Sequence, residues 1–571
     1  MDIGRLSQFF YCLTEDTVMM RITNAMMTSN TKNNINLNKL NEDRLNTQIA
    51  TGQVISRPSE DPVVAIRALR LNTNLSQLNQ YYKKNIPDAQ AWLNVTETAL
   101  KQTDQIFTNI RENLTAGASD QNTATDRQKI LENLKGLRSE LYASGNADYA
   151  ERTVFTDYRT QKSLTFIDTD PDLNPNNSFT YKVYETFDTT KALDALTYVS
   201  TYKTPVSPAT VDENTVTSTE LTRIRLAYDN LDTDTDSMDF NYFNGKDTAG
   251  KPTFQKIELS VMSIAGKTQE QIDEIYLSVT KSPNTGKGIL IPETGEIIFG
   301  PDAANNIKAG AVKPGAGEKD SQAYFSTQAT PPTPPEKTGY DKSKWKSGDL
   351  RPEHYFACTE TNNKEHTIEY YNFDQTDPDP VTKQTKPDST RPNFQNKDME
   401  VEVSFNQKIT INTHANEVYT HDIGRDVDEL ISVTQAVVDA DEKVSALKNK
   451  LAAAVDSDKP AIQAELDAAN KEYSLKKDKM QKAFSNALDK FTGYADRNNL
   501  AVANIGSMQS RLTVTKERVA DQLMSFKELA DANINAELTE TSIDFANAKL
   551  ALEAAQLAAG KIAQQTLLNY L

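Results

Sequence analysis

The sequence predicts a mainly α protein with an inserted β region. Long heptad-patterned helices from both chain ends form a coiled-coil bundle, which a central β-rich insertion interrupts. Apolar residues near both ends recur in alternating steps of three and four, the pattern of helices that pack along other long helices. Between the ends, short alternating apolar and polar runs indicate strands. The predicted segments are 1–19 (a non-native extension or leader), 20–60 (first helix and connection), 61–165 (helical bundle), 166–421 (β-rich insertion), 422–530 (helical bundle with a hairpin) and 531–571 (last helix).

The first twenty residues differ from the helical pattern that follows. "MDIGRLSQFFYCLTEDTVMM" holds one apolar patch, Phe9–Leu13. It is shorter than the apolar core of a secretory signal, and it lacks the basic flank and the small-residue cleavage site of one. We therefore expect the natural chain to start at Met20 or Met19, and the alternative is a genuine short leader.

The stretch "ATGQVISRPSEDPVVAIRA", residues 50–68, ends one predicted helix and starts another. Gly52 can end the first helix in a left-handed conformation, and Pro58 favours an extended backbone just before it. Asp61 can cap the next helix, with Pro62 in the first turn, where a missing N–H costs nothing. A stiff connection between two helices is predicted, and the alternative is an ordinary loop within a monomeric bundle.

Two helices are predicted after this connection. A heptad seam runs from Pro62 to Ala116, and Pro87 should kink this helix because it removes one backbone donor. A shorter helix follows over residues 126–145, and Gly145 can end it. The seam comprises Leu71, Leu75, Leu78, Tyr82, Ala89, Leu93, Thr96, Leu100, Phe107, Ile110 and Leu114.

The central region carries short alternating runs that are predicted as strands. "GILIPETGEIIFG" is predicted as a hairpin that turns at Pro292–Gly295, and "ATPPTPPEK" as an exposed polyproline-like segment. The predicted strands are "FTYKVYETF", "RIRLAY", "KIELSVMSI", "EIYLSVT", "MEVEVSF" and "KITINT".

The heptad pattern returns near the C-terminus. It runs without a break from Leu430 to Ala454, turns at "VDSDKPA" as an αα-hairpin, and continues through Ile505–Phe526. The last segment, "TSIDFANAKLALEAAQLAAGKIAQQTLLNYL", is apolar around the whole helix. A helix of this kind is buried on every side, so we expect other copies of the protein to cover it.

Charge and composition exclude several function classes. The net charge is −18, which argues against nucleic acid and anionic membranes as partners, since both require a basic face. No apolar run approaches the ~18 residues that cross a bilayer, so no membrane insertion is expected. Two cysteines cannot form a disulfide framework.

The motifs indicate no enzyme. The sequence contains no HExxH, GxSxG, P-loop or GxGxxG after a strand, so neither zinc-peptidase, hydrolase nor nucleotide chemistry is indicated. His354, Cys358 and His366 lie within a dozen residues, but their spacing matches no standard zinc site. We therefore expect no cofactor and no metal.

Four segments in combination resemble the flagellin superfamily. They are "MRITNAMM", "TGQVISRPSEDPVVAIRALRL", "NIPDAQAWLNVTETALKQTDQIFTNIRENLTAG" and "IAQQTLLNYL". Asp61-Pro62 followed by "VVAIRALRL" is similar to the hook–filament junction branch of that superfamily, whereas filament flagellins usually carry an Asp-Asp-Ala-Ala-Gly-like stretch there. The resemblance covers about residues 20–165 and 485–571.

The resemblance implies a structural component of the bacterial flagellum, outside the cell and exported without a cleaved signal peptide. The chain ends would form an inner coiled-coil tube and the next helices an outer tube, with the stretch at 50–68 as the spoke between them. Implied partners are further copies of the chain in a ring, the preceding hook-associated protein, flagellin, a cytosolic export chaperone and the flagellar type III export apparatus. The inner-tube contact would be made by Leu37, Leu40, Leu45, Ile49, Ile543, Leu550, Leu552, Leu557 and Ile562, and the spoke by Gly52, Pro58, Asp61 and Pro62.

Two other functions remain open at this level. The chain could be a filament flagellin, a polymer of thousands of copies rather than a ring of a few. It could also display a surface adhesin or an enzyme through the insertion at 166–421, whose sequence indicates no specific activity.

Overall fold

The structure is a computed structural model, and it describes most of the two helical ends and part of the insertion. The predicted leader at 1–19, the segment "ATPPTPPEK" and the side chains of His354, Cys358 and His366 lie outside the described part. The described residues are 24–119, 121–156, 160–169, 180–188, 193–202, 216–226, 229, 231–233, 237–246, 248, 252–310, 322–325, 338–340, 348–351, 366–373 and 398–568.

Long helices lie at both ends of the chain and a sheet lies between them, which confirms the predicted fold class. The helices are α1 (Asn24–Thr51), α2 (Pro62–Gln80), α3 (Ile86–Gly117), α4 (Ala124–Leu141), α5 (Gln269–Ser278), α6 (Pro301–Gly310), α7 (Ala415–Val418), α8 (His421–Ala453), α9 (Lys459–Ile534) and α10 (Leu538–Leu568). The strands are β1 (Asp148–Tyr149), β2 (Arg152–Thr153), β3 (Thr180–Asp188), β4 (Asp194–Val199), β5 (Ser218–Arg225), β6 (Leu231–Thr233), β7 (Ser237–Lys246), β8 (Pro252–Val261), β9 (Gly288–Ile291), β10 (Glu296–Phe299), β11 (Gln322–Phe325), β12 (Thr338–Tyr340), β13 (His366–Phe373), β14 (Glu400–Ser404) and β15 (Gln407–Thr410).

The chain divides into two compact units. The first comprises Met1–Asn85 and Val514–Leu571, and the second comprises Ile86–Thr513. Within the first unit, α1 packs along α10. The second unit holds the α3, α4 and α8 helices together with the sheet.

The helical core of the second unit is aromatic where α3 contacts α9. Phe107 and Phe491 are both fully buried, with ring centroids 6.4 Å apart in an edge arrangement, as aromatic pairs prefer. Asn498 Nδ2 donates to the carbonyl oxygen of Leu100 at 2.9 Å, away from solvent. The heptad positions of the sequence therefore form a packed core, with one buried interhelical hydrogen bond inside it.

The described part of the insertion forms an eleven-stranded sheet in the order β4-β5-β10-β9-β8-β7-β11-β3-β12-β6, with β13 also paired to β3. The β9–β10 hairpin forms as predicted: Ile297 pairs with Leu290, and Gly295 adopts a φ of 59° in the turn. Glycine is suited to that left-handed position because it has no Cβ. All described pairings are antiparallel except β8 with β9.

The strand predicted at "EIYLSVT" is wrong, because residues 269–278 form helix α5. The backbone N–H of Thr268 donates to Gln271 Oε1 at 3.0 Å, which satisfies a donor at the helix start. Ile275 and Tyr276 are then buried together against the sheet residues Leu196 and Ile298. The signal for the helix start, Thr268 and Gln271, lies upstream of the apolar run "EIYLSVT". Alternation within that run alone therefore predicted a strand where a helix forms.

The predicted irregularity near Pro87 lies just before the proline. Residues Tyr81–Asn85 form a five-residue π-helical segment, and α-helical geometry resumes at Ile86. In a π segment the backbone hydrogen bonds depart locally from the regular α-helical pattern. Pro87 also interrupts that pattern, because proline has no N–H to donate.

Candidate assembly surface

Helix α1 ends at the glycine of the predicted spoke. Gly52 has a φ of 68°, and its N–H donates to the carbonyl oxygen of Gln48 at 2.8 Å. Open space surrounds the position where a Cβ would lie, so the left-handed backbone alone favours glycine here. The chain therefore leaves the helix at the residue that the sequence indicates.

The connection after Gly52 pairs with the junction between α9 and α10, a contact that sequence reasoning missed. Gln53 and Asn535 form an antiparallel bridge. The Val54 N–H donates to the Ile534 carbonyl at 2.8 Å, and the Ala536 N–H donates to the Gly52 carbonyl at 2.9 Å. The short break "NINAE" between two helical patterns was the available signal, but nothing local indicates its partner.

The spoke next makes a turn, which corrects the predicted extended segment at Pro58. The Glu60 N–H donates to the Arg57 carbonyl at 3.0 Å, which places Pro58 at the second position of a four-residue turn, where its fixed φ fits. Glu60 also accepts from the Ser56 N–H at 2.9 Å and from Ser56 Oγ at 2.8 Å. These bonds from Ser56 hold the pKa of the Glu60 carboxyl below its usual value.

Helix α2 begins with Asp61 and Pro62 in the predicted roles. Asp61 Oδ1 accepts from the N–H groups of Val63 at 2.9 Å and Val64 at 3.1 Å. Pro62 occupies the first turn. The four spoke residues thus lie in one compact connection, bonded to the opposite end of the chain.

The residues predicted for the inner contact divide into two groups. Leu45 is 5% exposed and Leu552 is 9% exposed, so both are covered within one copy by the α1–α10 pair. Ile49 is half-buried, and the side chain of Ile562 lies outside the described part. More than half of each remaining side chain is exposed, with values of 62% for Leu37, 66% for Leu40, 58% for Ile543, 66% for Leu550 and 70% for Leu557.

A second feature is a buried charge cluster that attaches the sheet to the helices within the second unit. Arg223 on β5 lies 2.6 Å from Glu429 on α8 and 2.5 Å from Glu296 on β10. Arg225 lies 3.0 Å from Glu429 and also pairs with Asp426. Burial opposes ionisation of Glu429, but the two guanidinium groups outweigh it and hold its pKa at about 2.

The described residues contain no group of three or more His, Cys, Asp or Glu side chains placed to hold a metal ion. Among the described helices, none is long and apolar enough to cross a membrane. What the structure presents instead is exposed apolar area on α1 and α10, which is the kind of surface that marks protein–protein contacts.

Comparison with known proteins agrees with this geometry. Residues 22–160 match the family described as the bacterial flagellin N-terminal helical region. A protein named Flagellin from Clostridium tyrobutyricum is 25% identical over 181 residues, 30% of this chain and 46% of that protein. Flagellar hook-associated protein 3 of Salmonella typhimurium is 26% identical over 143 residues, 25% of this chain and 45% of that protein.

A solved structure of flagellar hook-associated protein 3 from Legionella pneumophila covers 81% of this chain and 97% of its own, at 10% identity and a TM-score of 0.27. The chain spans about half the length of the curated relatives it matches.

The family match and the two paired helical ends point to one class of protein: residues 22–160 are similar to the bacterial flagellin N-terminal helical region. Over 143 residues the chain is also similar to flagellar hook-associated protein 3.

Proposed function

We propose that this protein is a structural component of the bacterial flagellum, forming an adapter ring that joins the preceding hook-associated protein to the flagellin filament. Motility would then depend on it. The observation that carries the proposal is the apolar face left open on α1 and α10, where Leu37, Leu550 and Leu557 are each more than 60% exposed. Covering such a face by neighbouring copies removes apolar area from water, at roughly 25 cal/mol per Å².

The family match supports this role, because it covers the N-terminal helical region from which α1, α2 and α3 are built. The similarity to hook-associated protein 3 supports a junction position. No enzymatic activity is part of the proposal.

Export belongs to the same proposal. The subunit would leave the cytosol through the flagellar type III export apparatus without a cleaved signal peptide, after a cytosolic chaperone has held its C-terminal segment. Folding would be completed by assembly outside the cell, because the open apolar faces are covered only there.

The decisive experiment is electron microscopy of cells that lack the protein. Hooks without filaments, with flagellin shed into the medium, are expected. If the missing protein were the filament flagellin, the medium would contain no shed filament protein. Normal filaments on these cells would refute a flagellar role of either kind.

A truncation tests the surface itself. Deleting residues 558–571 shortens α10 while leaving Leu552 and its burial in place. The truncated subunit is expected to be exported and soluble but unable to assemble. The matched control is Lys549→Ala, an exposed change on the same helix, which should assemble normally. Filaments of full length on cells with the truncated subunit would refute the inner contact.

A further inference from the structure

Helix α2 and the part of α9 in the first unit lie side by side and antiparallel. Near one end, Asn533 Nδ2 donates to the Val64 carbonyl at 3.3 Å. Near the other end, Lys516 Nζ lies 5.9 Å from the centre of the Tyr82 ring. The two contacts span nearly all of α2, so each helix has an inner face towards the other and an outer face away from it.

The outer face of α2 is apolar and basic. Ala65 and Leu78 are buried on the inner face. Val63, Ile66 and Leu69, three residues apart, are 67%, 54% and 66% exposed. Such spacing places them in one row on the opposite side of the helix. Arg67 and Arg70 are exposed beside this row, and residues 62–85 contain no Asp or Glu. We call Val63, Ile66, Arg67, Leu69 and Arg70 the basic stripe.

The outer face of α9 is apolar and acidic. Val519 is fully buried and Ala530 is 4% exposed on the inner face. On the opposite side lies a row of five exposed residues that are three or four positions apart. Two of them are apolar, each 66% exposed, and three are carboxylates. Arg518 and Lys527 lie to either side of this row. The acidic stripe comprises Val514, Glu517, Asp521, Met524 and Glu528.

The two stripes are opposite in charge, and both expose apolar side chains. The charges are positive on α2 and negative on α9. Among the described residues, none of the five charged side chains in the stripes forms an ion pair within the copy. Because the stripes face away from each other, one copy cannot bring them together.

We propose that the basic stripe of one copy docks on the acidic stripe of the next copy, a side-by-side contact that rests on the proposed ring assembly and specifies how neighbours meet. The contact is heterologous, with different surfaces on the two partners, and such contacts generate closed rings or helical rows. Two basic stripes repel each other, and so do two acidic stripes. Charge complementarity therefore pairs a basic stripe with an acidic one. The apolar rows supply the area that is removed from water.

Charge reversal tests the proposal in the full-length chain. Arg67→Glu with Arg70→Glu, and separately Glu517→Lys with Asp521→Lys, should each lower assembly on the hook at least tenfold. All four substitutions in one chain should restore it to within twofold. Lys129→Glu with Lys135→Glu, on exposed positions of α4, is the matched control and should assemble normally. Circular dichroism should show unchanged helix content in every variant.

Cross-linking gives a second measurement that does not depend on charge. In a chain whose two native cysteines are replaced by serine, Ile66→Cys with Met524→Cys should yield a ladder of disulfide-linked multimers from assembled material. Either cysteine alone should yield none, because the contact joins unlike surfaces. Dimers from Ile66→Cys alone would mean a symmetric contact and would overturn the proposal.

The outcomes separate this inference from the proposed function. If truncation at residue 558 abolishes assembly while both charge reversals assemble normally, the adapter role stands and the stripe contact is refuted. If each reversal lowers assembly but the combined variant is not restored, the stripes do not face each other, and the contact is again refuted. Restoration in the combined variant, together with the two-cysteine ladder, establishes it.

Discussion

The N–H of Ala536 donates a hydrogen bond to the carbonyl oxygen of Gly52 at 2.9 Å. The residue that ends the first helix is thereby bonded to the junction before the last one. The connection between α1 and α2 and the connection between α9 and α10 therefore stabilise each other. The left-handed backbone of Gly52 makes this pairing possible.

Replacing Gly52 with alanine should destabilise this pairing by about 1–2 kcal/mol, because an L-residue is strained at positive φ. Hydrogen exchange should show faster exchange at Val54 and Ala536, whose amides bond across the connection. Gly136→Ala is the matched control: it lies within α4, with open space around it, and should stabilise that helix by about 0.5–1 kcal/mol. Unchanged exchange in the Gly52 variant would show that the left-handed backbone carries no strain.

Replacing Asp61 with alanine should lower the stability of α2 by about 0.5–2 kcal/mol, since the N–H groups of Val63 and Val64 lose their acceptor. Asp61→Asn keeps a side-chain oxygen and should cost much less. Pro62→Ala should also cost little, because proline is penalised in helix interiors and not in the first turn. Thermal melting followed by circular dichroism compares the three, and equal melting temperatures would contradict the capping role.

Leu552 and Leu550 should respond in opposite ways to alanine. Leu552→Ala removes a side chain that is 9% exposed and should destabilise the α1–α10 pair by about 2 kcal/mol. Leu550→Ala, at 66% exposure, should leave the melting temperature of the monomer unchanged and weaken assembly. Melting of the purified monomer and the yield of assembled material measure the two effects. Loss of monomer stability in the Leu550 variant would contradict an open surface.

Arg223→Ala should destabilise the second unit by about 3 kcal/mol, because it removes the cation that the buried Glu296 and the half-buried Glu429 share. Denaturant unfolding measures the free energy of unfolding. Lys408→Ala, which breaks an exposed pair with Glu400 at 3.1 Å, is the control and should cost less than about 1 kcal/mol. A small effect of Arg223→Ala would mean that the cluster does not anchor the sheet.

The same cluster should make stability depend on pH. The pKa of Glu429 is about 2 in the folded chain, below the value of about 4.3 for a free Glu. Its stabilisation is therefore complete above about pH 4.5 and is lost as the pH falls towards 2. The stability difference between the native chain and Glu429→Gln should be constant from pH 6 to about pH 4.5 and should narrow below it, in melts from pH 6 to pH 2. A constant difference would show that Glu429 does not contribute through its charge.

The sequence by itself determined the features that depend on neighbours along the chain. Heptad spacing identified the helices at both ends, and Gly52, Asp61 and Pro62 identified where one helix ends and the next begins. Each of these signals acts within four or five residues, through backbone dihedrals or the nearest N–H groups. The failure at "EIYLSVT" has the same basis, since an alternating run also fits one side of a short helix whose cap lies upstream.

Only the tertiary structure decided which of these surfaces are covered. It paired Gln53 with Asn535 and joined Arg223 to Glu429 across 206 residues. It also buried Leu552 while leaving Leu550, two positions earlier, exposed. Contacts of this kind depend on the path of the whole chain, which a local period does not encode, because the same apolar spacing suits a partner within the chain or in another copy.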